Sequence, residues 1–214
     1  MIASRVSRMQ LCFFFLVVLS AMPLRGQTVE DLLTRAELTD FAETTSYDEV
    51  MALSEGLAEL SENIHLTTFG YTNEGRALPL LVIGAPDASA AAVLRTGKTR
   101  VYVQGNIHGG EVCGKEALLM MLRRYAMGVY PNWTDELVLL IAPIYNADGN
   151  ERVSLRNRPR QHGPIGGMGQ RPNAQGLDLN RDHIKLDSPE ARSLVRLMTE
   201  YDPHVAVDLH TTNG

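Results

Sequence analysis

The chain has 214 residues, of which 44% are hydrophobic and 21% are charged, and its formal net charge is −5. This length suits one domain with a sizeable core, and the balance of apolar and charged residues excludes an intrinsically disordered chain. The acidic net charge, without a cluster of Lys and Arg, argues against a nucleic-acid partner.

Residues 1–26 have the composition of a secretory signal peptide. Two arginines precede an apolar run over residues 11–19, which breaks at Pro23, and small residues offer cleavage after Ala21 or Gly26. The alternative is a membrane anchor, but the uncharged stretch is shorter than the ~20 residues that a spanning helix needs. We therefore expect a secreted or periplasmic protein with no stable membrane anchor after cleavage.

The next segment predicts two helices and a hairpin. Residues 28–42 favour a short helix, and Ser46 with Glu49 forms a capping-box pattern ahead of a second, amphipathic helix. A strand from Ile64, a turn at residues 73–75 and a strand through Ile83 then indicate a β-hairpin. Pro79 is expected just ahead of the second strand, where a missing N–H is tolerated.

The rest of the chain alternates strands and helices. The expected elements, in order, are a loop over 85–97, a strand over 100–104, a helix over 116–125, a buried apolar strand within 136–146, a long loop over 149–176, a helix over 189–201 capped by Ser188, and a strand over 204–210 that is buried on both faces. This alternation predicts an α/β fold in which helices flank a mixed, mostly parallel sheet.

The stretch "HGGE" suggests a metal site. His108 and Glu111 follow a predicted strand, and the two intervening glycines allow a tight turn that aims both side chains at one ion. Zinc takes imidazole nitrogen and carboxylate oxygen, usually from three protein ligands. The spacing alone is a weak signal, because the same residues could form a loop in which Glu111 is exposed to solvent and binds no metal.

A third ligand has to come from another part of the chain. The histidines are His65, His108, His162, His183, His204 and His210. In open α/β sheets, functional groups gather at the carboxyl ends of strands. Of the six, only His108 and His210 hold that position, so His210 is the expected third ligand.

The long loop ends in "GQRPNAQGLDLNRDH", a second segment that could contribute to a functional site. Asn180 and Arg181 could form a fork for a carboxylate, because Arg makes bidentate, charge-assisted bonds and Asn adds a donor. Asp178 could accept a hydrogen bond from the ring nitrogen of a zinc-bound histidine that does not bind the metal. The alternative is a solvated basic loop.

Four motifs in this order, "HGGE", "NADGNE", "QRPNAQGLDLNRD" and "VDLHTTNG", resemble the zinc carboxypeptidase family, which includes carboxypeptidases A, B, D and E. The resemblance covers the chain from about Tyr47 to its end. It implies a zinc-dependent metallocarboxypeptidase that removes C-terminal amino acids from peptides and proteins. It also implies one zinc per chain, held by His108, Glu111 and His210.

Further roles follow from the same resemblance. Arg171 matches the residue that binds the substrate carbonyl, with Arg156 and Arg158 as competing candidates. Asn180 and Arg181 match the groups that bind the C-terminal carboxylate of the substrate. Asp178 matches the partner of the first zinc histidine.

The chain departs from the family in one respect. The family's catalytic Glu, a general base, lies well downstream of the third zinc ligand, and no Glu of this chain matches it. We therefore expect a fragment that is incomplete at its C-terminus and inactive by itself. We also expect the apolar strand over 204–210 to lack, in this chain, the neighbours that would cover it, which favours aggregation. Its expected divisions are a signal peptide over 1–26, an N-terminal extension over 27–46 and a partial zinc carboxypeptidase domain over 47–214.

Two other functions stay open at this point. One is a zinc amidohydrolase of the succinylglutamate desuccinylase or aspartoacylase kind, which shares the metal ligands; export and the "NADGNE" motif argue against it. The other is a non-catalytic remnant that binds zinc or peptides.

Overall fold

The structure, a computed structural model, describes residues 28–211. The expected signal peptide over residues 1–26 therefore lies outside the described residues. Among those that are described, no helix combines the length and the apolar character needed to cross a membrane.

A five-stranded sheet forms the centre of the fold. Its strands are β1 (Ile64–Tyr71), β2 (Ala77–Ile83), β3 (Thr99–Gly105), β4 (Leu137–Ala142) and β5 (Val205–Leu209), arranged in the order β1-β2-β4-β3-β5. The pairs β1–β2 and β2–β4 are antiparallel, whereas β4–β3 and β3–β5 are parallel. Within this sheet β2 thus runs against the other four strands, which confirms the mixed, mostly parallel sheet.

Helices cover both faces of the sheet. They are α1 (Arg35–Leu38), α2 (Tyr47–Leu60), α3 (Ala90–Arg95), α4 (Val112–Ala126), α5 (Trp133–Glu136), α6 (Ala147–Glu151) and α7 (Pro189–Tyr201), with 3-10 helices at Val29–Asp31 and Leu179–Arg181. On one face, Leu80, Val82, Tyr102 and Leu140 of the sheet pack with Leu194 and Leu197 of α7. On the other, Leu81, Ile83 and Ile141 pack with Leu57 of α2 and Leu119 and Leu122 of α4. Neighbouring residues of β2 and β4 thus face opposite layers, which is why their sequences are continuously apolar.

The predicted starts of α2 and α7 agree with the structure, whereas α4 begins four residues before the predicted helix over 116–125. Ser46 accepts a hydrogen bond from the backbone of Glu49, whose carboxylate accepts one from the Ser46 backbone at 2.9 Å, and α2 begins at the next residue. Ser188 caps α7 in a similar way, and Pro189 occupies its first turn, where a missing N–H costs nothing.

Two predictions between residues 77 and 97 were wrong. Residues 85–97 contain the helix α3, which is capped by Ser89 and buries Ala92 and Val93. Pro79 lies within β2, opposite Thr68, rather than ahead of the strand. The strand tolerates it because β2 pairs with β4 only from Leu81 onward.

Residues 28–42 form a 3-10 turn and the four-residue α1 instead of one continuous helix. The segment is nevertheless packed on the domain, since Leu32 belongs to the cluster between α2 and α4. Arg123 of α4 forms an ion pair with Glu37 of α1. Lys115 of α4 is fully buried, which lowers its pKa to about 8, and its ammonium donates to Asn150 at 2.7 Å and to the backbone oxygen of Thr45.

The last predicted strand is present as β5, without the burial on both faces that its apolar pattern suggests. Residues 205–208 are exposed, because β5 lies at the edge of the described sheet and pairs with β3. The long loop begins after α6, and a bridge between Ser154 and Met168 closes part of it.

Candidate metal centre

A tight turn after β3 places His108 and Glu111 side by side. Asn106 starts the turn with a left-handed backbone (φ 63°), and its amide donates to the Gly109 oxygen at 3.1 Å. The backbone N–H of Glu111 donates to the oxygen of His108 at 2.8 Å, and α4 begins at the next residue. The turn therefore presents both side chains on the same side of the chain, as the spacing predicts.

The two glycines of this turn are required by close packing against neighbouring backbone. A Cβ atom on Gly109 would lie 2.3 Å from the carbonyl carbon of Gly149 in α6. A Cβ atom on Gly110 would lie 2.5 Å from the oxygen of Gly169 in the long loop. Any side chain here would push the turn away from α6 and the loop.

His210 joins this pair because β5 is parallel to β3. Leu209 pairs with Gly105, so the residue after β5 lies beside the turn after β3. One ligand atom from each of His108, Glu111 and His210 lies within 4.8 Å of the others. The structure thus brings together the three residues expected to bind the metal.

The carboxylate of Glu111 lies between the two imidazole rings. Its Oε1 is 2.9 Å from Nδ1 of His108, and its Oε2 is 3.0 Å from Nδ1 of His210. The backbone N–H of Thr211 also donates to Oε2, at 2.9 Å.

Each imidazole also meets a second carboxylate on its far side. Nε2 of His108 is 3.1 Å from Asp178, and Nε2 of His210 is 2.9 Å from Asp208. A neutral imidazole carries one N–H, so a ring that donates from Nε2 turns the lone pair of Nδ1 toward Glu111. Two lone pairs and a carboxylate then face one another, which is the donor set that a divalent cation such as zinc satisfies.

Glu111 is held in its charged form. Burial alone would raise the pKa of Glu111, but its contact with His108 and the hydrogen bonds from the Thr211 backbone and Arg158 lower it to about 2. Nη2 of Arg158 lies 2.6 Å from Oε1. Of the two competing arginines, Arg158 is therefore at the centre as a partner of Glu111, while Arg156 is exposed on the long loop.

Arg171 lies beside the first histidine. Its Nε and Nη2 donate to Oδ2 of Asp178 at 3.0 and 2.9 Å, and its Nη1 is 3.5 Å from Nδ1 of His108. Burial tends to raise the pKa of Asp178, but bonds from Arg171 and His108 give a net decrease. The exposed guanidinium thus lies next to the nitrogen that faces Glu111.

Asn180 and Arg181 lie on the 3-10 helix that follows Asp178. The backbone N–H of Asn180 donates to Oδ1 of Asp178 at 3.0 Å, which ties this helix to the same carboxylate that meets His108. Arg181 is exposed, and its Nη1 donates to the oxygen of Asn180 at 2.8 Å. The expected site residues are therefore connected to one another by a continuous series of contacts.

Sequence reasoning missed two contacts of this centre. Asp208 could have been found from its position two residues before His210, because alternate residues along a strand share a face. The contact of Arg158 with Glu111 had no such signal, since Arg158 lies in an irregular loop with a left-handed backbone (φ 55°).

The sequence profile of the zinc carboxypeptidase family matches residues 50–213, more than half of the chain. The chain belongs to this family. The carboxypeptidase match includes the turn after β3, the long loop and the end of β5, which together carry the candidate metal centre.

Curated carboxypeptidases are similar to this chain in sequence. It is 31% identical to the probable carboxypeptidase 2 of Arthroderma benhamiae over 143 residues, which cover 65% of this chain and 24% of that protein. It is 34% identical to carboxypeptidase E of Caenorhabditis elegans over 159 residues, which cover 70% of this chain and 32% of that protein. The match spans about a quarter to a third of the length of these carboxypeptidases.

Solved carboxypeptidases share the fold. The carboxypeptidase A of Helicoverpa armigera superposes with a TM-score of 0.62 at 20% identity, over 86% of this chain and 52% of that one. A metallo-carboxypeptidase from Burkholderia cenocepacia superposes with a TM-score of 0.58 at 22% identity, over 78% of this chain and 41% of that one. At these identities the likeness shows the fold alone.

Proposed function

We propose that this chain supplies the metal centre and part of the substrate site of a zinc-dependent metallocarboxypeptidase, which removes C-terminal amino acids from peptides or proteins. The observation that carries the proposal is the convergence of His108, Glu111 and His210, with both imidazole Nδ1 atoms facing one carboxylate. Membership of the zinc carboxypeptidase family supports it.

In this proposal one zinc is held by His108, Glu111 and His210. When bound, zinc polarises the scissile carbonyl and lowers the pKa of a water molecule. Asp178 keeps the ring of His108 oriented, and Arg171, held by that same Asp178, donates to the carbonyl oxygen as negative charge develops there. The loss of one such donor typically lowers turnover about 10²–10³-fold.

Asn180 and Arg181 bind the free carboxylate at the C-terminus of the substrate. The support is the exposure of Arg181, the half-buried position of Asn180 and the place of both next to Asp178, which link a carboxylate-binding fork to the metal centre. Recognition of this carboxylate would make the enzyme an exopeptidase.

Proton transfer needs a further carboxylate. Glu111 and Asp178 each accept several hydrogen bonds, and Asp208 accepts one from His210. We therefore assign metal and carbonyl binding to the described residues, and proton transfer to a carboxylate outside this set.

We also propose that the protein is exported and that its carboxypeptidase domain follows a short extension. The composition of residues 1–26 supports a signal peptide and a secreted or periplasmic protein. Residues 27–46 are proposed as an N-terminal extension to a carboxypeptidase domain that begins at residue 47.

Metal analysis of the purified chain tests the proposal. We expect one tightly bound zinc per chain, and we expect His108→Ala to lose it, because a three-ligand site would keep only two ligands. His162→Ala, which removes an exposed imidazole of the long loop, is the matched control and should keep the metal. An unchanged zinc content in His108→Ala would refute the assignment.

A further inference from the structure

We propose that Asp208 is a positioning residue of the metal centre, which holds the imidazole of His210 so that its Nδ1 faces Glu111. This inference rests on the zinc site proposed above. It adds a residue to the site, because sequence reasoning placed only Asp178 behind a metal-binding histidine.

The position of Asp208 within β5 gives it a fixed backbone. It pairs with Gln104 of β3, whereas His210 lies just beyond the last residue of the strand. Asp208 and His210 are two residues apart, so their side chains leave the chain on the same side. Oδ2 of Asp208 then lies 2.9 Å from Nε2 of His210.

The two histidines differ in how much packing restrains them. The side chain of His108 is 2% exposed and lies within the tight turn, whereas that of His210 is 37% exposed. Packing therefore fixes the ring of His108 but leaves the ring of His210 free on one side. The orientation of His210 depends accordingly on its hydrogen bonds, and the one to Asp208 sets which nitrogen faces Glu111.

The chemistry agrees with this role. A carboxylate that accepts the Nε2 proton selects the tautomer whose Nδ1 lone pair can bind a metal, and it makes that nitrogen a stronger ligand. Asp208 lies on the side of the ring away from Glu111, so it acts through His210 rather than on the substrate.

The test compares zinc affinity in the full chain and in two variants, Asp208→Ala and Asp208→Asn, by competition with a chromophoric chelator. Removal of such a partner typically lowers metal affinity about 10–100-fold, and we expect this range for Asp208→Ala. Asp208→Asn keeps an acceptor oxygen and should recover part of the loss. Asp135→Asn changes the net charge equally but lies in α5, before the start of β4, and should bind zinc like the unmodified chain.

A second readout is the ¹⁵N NMR spectrum of the His210 ring in the metal-free protein. We expect a proton on Nε2 in the unmodified chain and a mixture of tautomers in Asp208→Ala. If the unmodified chain binds no zinc, the proposed function fails, and this spectrum still tests Asp208. If it binds zinc but Asp208→Ala binds it equally well and shows the same tautomer, the proposed role of Asp208 is wrong while the zinc site stands. Should Asp208→Ala fail to fold, the affinity and spectrum of Asp208→Asn decide in the same way.

Discussion

At the scale of single residues, Arg181 extends the candidate site beyond the proposed metal ligands. Its guanidinium is exposed and donates to the backbone oxygen of Asn180, and this leaves donors for a substrate carboxylate. Hydrogen bonds to a charged group are worth about 1.5–3 kcal/mol, or about 10–150-fold in affinity. We expect Arg181→Ala to weaken the binding of a peptide with a free C-terminus by an amount in this range, and to leave the amidated peptide unaffected.

Fluorescence anisotropy with a matched pair of labelled peptides measures both affinities. Arg95→Ala, at the exposed end of α3, removes the same charge and should change neither value. Equal losses for the free and the amidated peptide would mean that Arg181 has a structural role.

The site residues that sequence could identify are those whose position follows from regular structure. His108 and His210 follow two strands, and the carboxyl ends of parallel strands meet at one edge of a sheet. The contact between Arg158 and Glu111 depends instead on the path of a long loop with no periodic pattern, which local sequence does not encode.

At the scale of secondary-structure elements, apolar patterns and caps made the strands and the three long helices predictable, but not the short helices. The apolar run of β4 faces a helical layer on each side, and the caps of α2 and α7 come from local hydrogen bonds. The helix α3 was missed because its six residues are too few to show a helical period. The apolar pattern of β5 suggests burial on both faces, because an apolar strand has the same sequence at the centre and at the edge of a sheet.

The contact between α6 and the turn that carries His108 and Glu111 can be tested by substitution. Gly109→Ala would place a Cβ atom 2.3 Å from the backbone of Gly149, and neither backbone can yield without moving the turn or the helix. Overpacking of this kind typically costs about 1–3 kcal/mol. We expect Gly109→Ala to lower the free energy of unfolding in urea by at least this amount and to weaken zinc binding.

Gly166→Ala is the matched control for this change. A Cβ atom on Gly166 would have no neighbouring atom within 4 Å, and Gly166 has no left-handed backbone, so we expect the effect to stay within about 1 kcal/mol. Equal stabilities for the two alanine variants would show that the turn can move away from α6 at little cost.

At the scale of the whole molecule, residues 28–211 cover the sheet unevenly. Its two apolar clusters bury the centre, whereas β5 exposes Val205 by 46% and Val207 by 37%. A strand edge with apolar side chains is a template for pairing with another chain. The candidate metal centre lies at the end of this same strand, so association along β5 would also affect access to His210.

We therefore expect the chain to self-associate in a concentration-dependent way through β5. Val207→Lys should reduce this association, because a charge in the middle of an edge strand opposes pairing with another strand. Sedimentation velocity over a range of concentrations measures the effect, and circular dichroism shows whether the variant keeps its fold. Ile184→Lys is the control, since Ile184 is 93% exposed but lies outside the sheet. If Ile184→Lys reduces association as much as Val207→Lys, general surface hydrophobicity rather than the strand edge drives it, and if neither variant has an effect, β5 is not the contact.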